Sequence, residues 1–557
     1  MRRIQFCVLA AIAACGPSKL HHGDGGGGGG DGNGQPHTLS GITITPTNPI
    51  VELDLNATGA QGFTATGNYL DGVDEDLTNA VTWTVVNPAV GTMTAATLAI
   101  PSFAADGAVV SRINADYSGL QGIAQITVVA YRRSGSQQDF FFDLPYQAPD
   151  VTKPLDFSTA IPALDVFFLM DTTGSMSGEI SNLKTSLNST VIPGIEAAVA
   201  NSQFGVGYHD DFPISPYGAG ADQPFHLLQP ITNSNTLITA GVNALTISNG
   251  ADEPEGGIEG IYQAATGDGL TGPSPTSVAA NHLGVGGVQF RTGTMPVIVA
   301  ISDADAHRIS PDHGACNGVN DDYTGTVAAV AHSLTQTESA LNNICGRFVG
   351  IAPIGNASCS AVNYYTDLST MTGSRVPPGA WDVGTRPTGC AANQCCTGQN
   401  GVGQATDANG LCPLVFLAST SGTGVSTNVV TGIELLTRFA TFTATTSKTG
   451  GTTDNMNNPL PVGHTTADFI TAITPASFTL PPPPPNLPNP TFDATSFYGV
   501  TPGTQVDFNV VATNTFVPQT DQAQIFMATI TVLASGCTPL DQRTVIILVP
   551  PTAIVIQ

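Results

Sequence analysis

The chain has 557 residues, of which 41% are hydrophobic and only 10% charged, and it carries a formal net charge of −26 from 42 acidic against 16 basic side chains. That length suits about two to four domains, and the hydrophobic share supports real cores and excludes global disorder. The acid excess excludes nucleic-acid binding, which needs a basic surface; most of it reads as acidic solvated surface, and the remainder suits cation binding.

Arg2 and Arg3 precede an apolar stretch, 6–14, too short to span a bilayer. Ile12-Ala13-Ala14-Cys15 resembles a bacterial lipobox. Residues 1–15 are therefore expected to be a lipoprotein signal peptide, with Cys15 lipidated and anchoring the mature chain to a membrane. Gly16 after it, rather than Asp, leans toward the outer membrane of the cell envelope. The alternative is an ordinary signal peptide cut nearby. Residues 16–37, with the glycine run 25–30, read as a flexible tether. Eight further cysteines, Cys316, Cys345, Cys359, Cys390, Cys395, Cys396, Cys412 and Cys537, stand behind this export signal. They read as disulfides of unreadable connectivity.

Residues 38–131 contain short β-rich runs separated by turn signals such as Asp71-Gly72 and Asn87-Pro88, with Trp83 inside a strand. The stretch from Gln61 to Tyr69, followed by Asp76-Leu77-Thr78 and Val81-Thr82-Trp83, resembles the bacterial group 2 immunoglobulin-like domain. The resemblance implies a β-sandwich used as a spacer or adhesive module. Residues 132–160 hold one plausible strand, 140–144.

From 161 to 445 apolar strands alternate with helical patterns, so a doubly wound α/β domain with a mostly parallel sheet is expected. Strand candidates are 164–170, 203–208, 295–302 and 347–354. Ile180, Leu183 and Leu187 mark a helix after the first strand, and Val429, Val430, Ile433 and Leu436 another over 427–440. The stretch 355–426 is Cys- and Gly-rich without a clear period and reads as a disulfide-stapled excursion. Residues 446–490, with the run 481–485 of prolines, read as a stiff linker. A C-terminal β-sandwich-like region, 491–557, follows. The whole is a multidomain chain.

The first strand ends in Asp171-Thr172-Thr173-Gly174-Ser175. One carboxylate and two hydroxyls at alternate positions form an oxygen-only set suited to a hard cation. Three further acidic segments recur: His209-Asp210-Asp211-Phe212-Pro213, Asp252-Glu253-Pro254-Glu255-Gly256-Gly257, and Ser302-Asp303-Ala304-Asp305-Ala306-His307. In an open α/β sheet such loops converge on one crevice. Asp210 and Asp305 read as solvated loop acids, and His209 and His307 as outer neighbours or solvent-facing groups.

Asp171-x-Thr173-x-Ser175-Met176, Asp211-x-Pro213-x-Ser215-Pro216-Tyr217, Asp252-x-Pro254-Glu255-Gly256-Gly257 and Ser302-Asp303-Ala304 resemble the von Willebrand factor A (VWA) domain of integrin β subunits. The resemblance implies a central Mg²⁺ or Mn²⁺ held by Thr173, Ser175 and Glu255, with Asp171 and Asp303 acting directly or through water. It implies an adjacent site, for Ca²⁺, from Asp211, Asp252, the Pro254 carbonyl and Glu255. Gly250 stands where the family has an Asn. A third site needs two adjacent acids that are Gly178 and Glu179 here, leaving Glu179 alone. Because that family inserts its VWA domain into a β-sandwich, segments 132–160 and 446–557 are expected to pair.

A cation held by hydroxyls and few direct carboxylates keeps an open position for the Asp or Glu carboxylate of a protein partner. Adhesion or ligand binding is therefore the expected function. A structural envelope protein with a non-adhesive metal site is the alternative. A metal-dependent hydrolase lacks an obvious base, and no Gly-x-Ser-x-Gly, His-Glu-x-x-His or Walker motif occurs.

Overall fold

The computed structural model describes residues 37–552 except 135–137, 249, 314, 317–318, 321, 355–358 and 483–486. Cys15, the signal segment, nearly all of the tether, Asn249 and most of the proline run lie outside the described residues. Among the described residues no helix is long and apolar enough to cross a membrane.

The N-terminal β unit contains a four-stranded sheet in the order Ile50–Asp54, Leu120–Tyr131, Gly107–Tyr117, Thr82–Val85, and two three-stranded sheets. Its core gathers Ile42, Ile44, Phe63, Ile113 and Ile126. Trp83 packs against that core and its indole N–H donates to the Thr78 carbonyl at 3.0 Å, which satisfies the one polar atom of a half-buried ring.

The central unit is a six-stranded sheet with helices on both faces. Its strands are β1 (Leu164–Asp171), β2 (Ser202–His209), β3 (His226–Thr232), β4 (Met295–Ile301), β5 (Arg347–Pro353) and β6 (Val415–Ala418), ordered 3-2-1-4-5-6. All neighbours are parallel except β3, which runs antiparallel to β2. β1 and β4 are buried along their whole length. Covered on both faces, they read in sequence as continuous apolar runs. The exception is Asp165, fully buried in β1. Arg291 clamps it through Nε at 2.7 Å and Nη2 at 2.6 Å, and the Thr294 hydroxyl adds a third contact at 3.0 Å.

Helices α1 (Ser177–Ser186), α2 (Asn235–Asn243), α3 (Gly257–Thr266), α4 (Leu334–Asn343), α5 (Val362–Met371) and α6 (Val425–Phe439) flank the sheet. Ile180 and Leu183 of α1 and Val429, Ile433 and Leu436 of α6 turn inward, as their spacing requires. The stretch 355–426 is more than an excursion, because it supplies α5 and the edge strand β6. All eight cysteines pair: Cys316–Cys359, Cys345–Cys537, Cys390–Cys396 and Cys395–Cys412.

Strands on either side of the central unit meet in a second β unit. Phe140–Asp143 lies parallel to Thr538–Val549, and Val151–Ser158 lies antiparallel to Gln505–Ala512. Gln505–Ala512 also pairs with Ile470–Thr479, a strand inside the stretch expected to be a linker. Pro475 breaks its alternation, and the register shifts between Pro475 and Ser477. Val129 and Tyr131 of the N-terminal unit pack against Phe141, Ile546 and Leu548, so the two β units share a small apolar contact.

Candidate metal centre

The strand order reverses between β1 and β4, and both strands end at the crevice this creates. β1 delivers Asp171 there with its backbone fixed by two parallel neighbours. Asp171 Oδ1 accepts from the Thr173 N–H at 2.8 Å and the Thr173 hydroxyl at 2.7 Å. Its Oδ2 accepts from the Ser302 hydroxyl, just past β4, at 2.7 Å. Ser175 on the exposed rim donates to Asp303 Oδ1 at 2.9 Å. Two loops 128 residues apart in sequence are thus tied through hydroxyl–carboxylate contacts.

The segment before α3 inserts Glu255 between them. Its N–H donates to the Asp305 carbonyl at 2.9 Å, and its carbonyl accepts from the His307 N–H at 3.0 Å, so it is pinned beside the loop after β4. Pro254, the residue before it, is buried. Burial pushes the Glu255 carboxyl up to about 11, the charges of Asp171, Asp211 and Asp252 add to that, and a hydrogen bond from Thr173 opposes it.

Asp211, after β2, is fully buried. Its Oδ1 accepts from the Tyr323 hydroxyl at 2.6 Å and from the Phe212 N–H. Its Oδ2 faces His307 Nε2 at 3.4 Å, and the same nitrogen lies 3.5 Å from Asp252 Oδ2. Asp211, Asp252 and His307 each offer one ligand atom within 4.8 Å of the others. Burial lifts the Asp211 carboxyl to about 7, opposed by His307 and Tyr323. Asp303 is raised to about 6 by burial and then by Asp171. Glu179, in the first turn of α1, is 1% exposed and raised to about 7 by burial, with Asp303 and Asp171 adding to the effect.

Asp171, Thr173, Ser175, Glu255 and Asp303 therefore come together, and Asp211, Asp252 and Pro254 stand beside them. Glu179 approaches from the α1 side. Among the described residues the buried oxygens Glu255 Oε2, Asp211 Oδ2 and Asp252 Oδ1 have no hydrogen-bond partner. Carboxylate oxygens left so, among this many acids, fit a divalent cation.

Two expectations are corrected. Asp210 and Asp305 are buried. Asp210 accepts from the hydroxyls of Thr172 and Ser248, the latter at 2.6 Å, and so braces the turn after β1. Asp305 pairs with Arg308 at 3.0 Å. His307 is also buried and faces the acids, which excludes the solvent-facing alternative and keeps the outer-neighbour one. Tyr217 and Tyr323 pack edge-on at 4.9 Å, and His307 lies 4.9 Å from the first ring and 4.5 Å from the second. Tyr217 was visible in the Ser-Pro-Tyr motif. Tyr323 lies on a distant acidic loop and carries no sequence signal.

Fold, strand order and this constellation define a VWA domain of the integrin β type, and this protein is one that carries it. Residues 159–272 match the family model described as the integrin beta chain VWA domain. Among curated relatives, integrin beta-6 of Ovis aries is 26% identical over 161 residues, covering 26% of this chain and 18% of that protein. Integrin beta-6 of Homo sapiens is 25% identical over the same coverage. The chain thus spans under a fifth of the length of these relatives. A solved von Willebrand factor type A structure from Catenulispora acidiphila aligns over 75% of each chain at 9% identity with a TM-score of 0.27.

Proposed function

We propose that the central unit is a divalent-cation-dependent binding head of an exported adhesion or ligand-binding protein. The observation that carries this reading is the convergence of Asp171, Thr173, Ser175, Glu255 and Asp303 from three separate loops onto one crevice, with buried carboxylate oxygens that have no hydrogen-bond partner among the described residues. Thr173, Ser175 and Glu255 would hold Mg²⁺ or Mn²⁺ centrally, with Asp171 and Asp303 beside them. Asp211, Asp252, the Pro254 carbonyl and Glu255 would hold an adjacent Ca²⁺, with His307 fixing the two aspartates. Glu179 alone would serve a third, weaker position. A bound ion supplies a Lewis-acidic point for an Asp or Glu carboxylate of a protein partner. Ser175 on the rim marks where that carboxylate enters.

The rest of the chain fits presentation of such a head. Four disulfides suit an oxidising compartment. The N-terminal β unit, taken as immunoglobulin-like, serves as a spacer, and Cys15 as the lipid-anchored residue of an envelope protein.

The test is thermal melting in Mg²⁺, Mn²⁺, Ca²⁺ and EDTA. Binding to the folded state alone adds about 2.7 kcal/mol at a hundredfold excess over Kd, so the wild type melts higher with ion than with EDTA. Asp171→Ala abolishes that difference and partner capture together while keeping the fold. A wild-type curve indifferent to every ion and to EDTA would refute the mechanism. For the anchor, Cys15→Ser is expected to shift the protein from the membrane to the soluble fraction, and unchanged partition would exclude lipidation there.

A further inference from the structure

A second polar cavity lies at the opposite end of the central sheet, where the central unit meets the second β unit. Arg347 opens β5 at that end. Its side chain is 8% exposed and its guanidinium donates to the Thr372 carbonyl. Among the described residues no carboxylate forms an ion pair with it. Burial alone lowers its pKa, to about 10, and no neighbouring charge enters the balance, so the group remains a cation at neutral pH. A buried charge without a counter-charge is costly and is ordinarily paired. The cation here instead lines a cavity of about 450 Å³.

The walls of that cavity match an anion. Thr372 comes from the end of α5, Thr441 and Thr443 from the start of the strand that follows α6, and Ser535 and Thr538 from the hairpin joining the last two strands. Among the described residues no acidic side chain lines it. Gly373, at φ +67°, keeps the guanidinium clear, because a β-carbon there would come within 2.5 Å of Arg347 Nη1. The disulfide Cys345–Cys537 bridges the two units along the same wall. In a chain with a net charge of −26, a pocket that combines a buried guanidinium with hydroxyl donors and excludes acids is a local reversal of sign.

We propose that this junction cavity binds a small oxyanion, carboxylate or phosphate, with Arg347 as its fork-shaped charge partner and the hydroxyls of Thr441, Thr443, Ser535 and Thr538 as additional donors, the Thr372 hydroxyl being given to the Leu368 carbonyl. The inference is independent of the metal reading, since the two sites lie at opposite ends of the sheet.

The experiment uses the full chain in EDTA, so that no divalent ion contributes. Melting is followed while chloride is replaced at constant ionic strength by phosphate in one series and by succinate in another. A saturable rise in melting temperature in either series is expected, and the stronger series assigns the ligand class. Asp171→Ala retains the rise, and Arg347→Met loses it. Identical melting in all three anions, or an equal rise in Arg347→Met, overturns the proposal. Should Arg347→Met fail to fold, wild-type crystals soaked in selenate decide the matter. Anomalous scattering within hydrogen-bonding distance of Arg347 upholds the site, and a cavity holding only water at saturating selenate eliminates it.

Discussion

Glu255 lies within the fields of Asp171, Asp211 and Asp252 while almost wholly removed from water. A carboxyl raised in this way holds its proton in the folded chain at pH values where the unfolded chain, at about 4, has lost it. The folded state then binds more protons, so its stability is greatest below the unfolded value and declines as pH rises. Asp303 at about 6, and Asp211 and Glu179 at about 7, place their part of that decline between about pH 4 and 7, and Glu255 at about 11 carries it further up. Melting of the EDTA-treated protein should therefore fall from pH 5 to pH 8, and saturating Mg²⁺ should flatten the profile. Because ligands must be deprotonated, ion binding near pH 6 should release protons. Calorimetry in two buffers of different ionisation enthalpy measures that release, and its absence would mean that these acids are already ionised.

At the scale of elements, the first turn of α1 and the loop before α6 touch backbone to backbone. A β-carbon on Gly422, at φ +75°, would lie 2.2 Å from the Gly178 carbonyl oxygen, and one on Gly178 would lie 2.6 Å from the Ser421 carbonyl carbon. Gly422→Ala must therefore separate the loop from α1, next to Glu179, at a cost of about 1–3 kcal/mol. Weaker cation binding is expected with it, measured by denaturant melts and metal titration on the same variant. This contact was illegible in sequence because glycine leaves no periodic signal. β1 and β4 were legible because burial on both faces makes them unbroken apolar runs. β3 was not: it is a half-exposed edge strand interrupted by Pro230. β6 has only four residues, within a Cys-rich stretch. The same division holds in the site. Asp171, Thr173, Ser175, Glu255 and Asp303 sit in local motifs that announce themselves. The placement of His307 and Tyr323 depends on tertiary packing that joins Asp211 to residues about a hundred positions away.

For the whole molecule, the second β unit is built from chain segments on both sides of the central unit. Gln505–Ala512 has Val151–Ser158 on one flank and Ile470–Thr479 on the other, and Thr538–Val549 has Phe140–Asp143 as an edge partner. Phe442–Gly450 likewise lies between Gln524–Ala534 and Phe497–Val500, so a fragment of residues 491–557 lacks four of its neighbouring strands and should not fold alone. Circular dichroism and proton chemical-shift dispersion check this, and a dispersed, cooperative spectrum would refute it. The arrangement also has a mechanical meaning. A pull applied at the crevice reaches the second β unit through two covalent exits, after Ser158 and before Phe442, and through the Cys345–Cys537 bridge. The exit after Ser158 leaves from Val151–Ser158, which is tied to the second β unit along its whole length by antiparallel pairing with Gln505–Ala512. If the central unit is the binding head proposed above, a load on that head is divided among three attachments instead of resting on one.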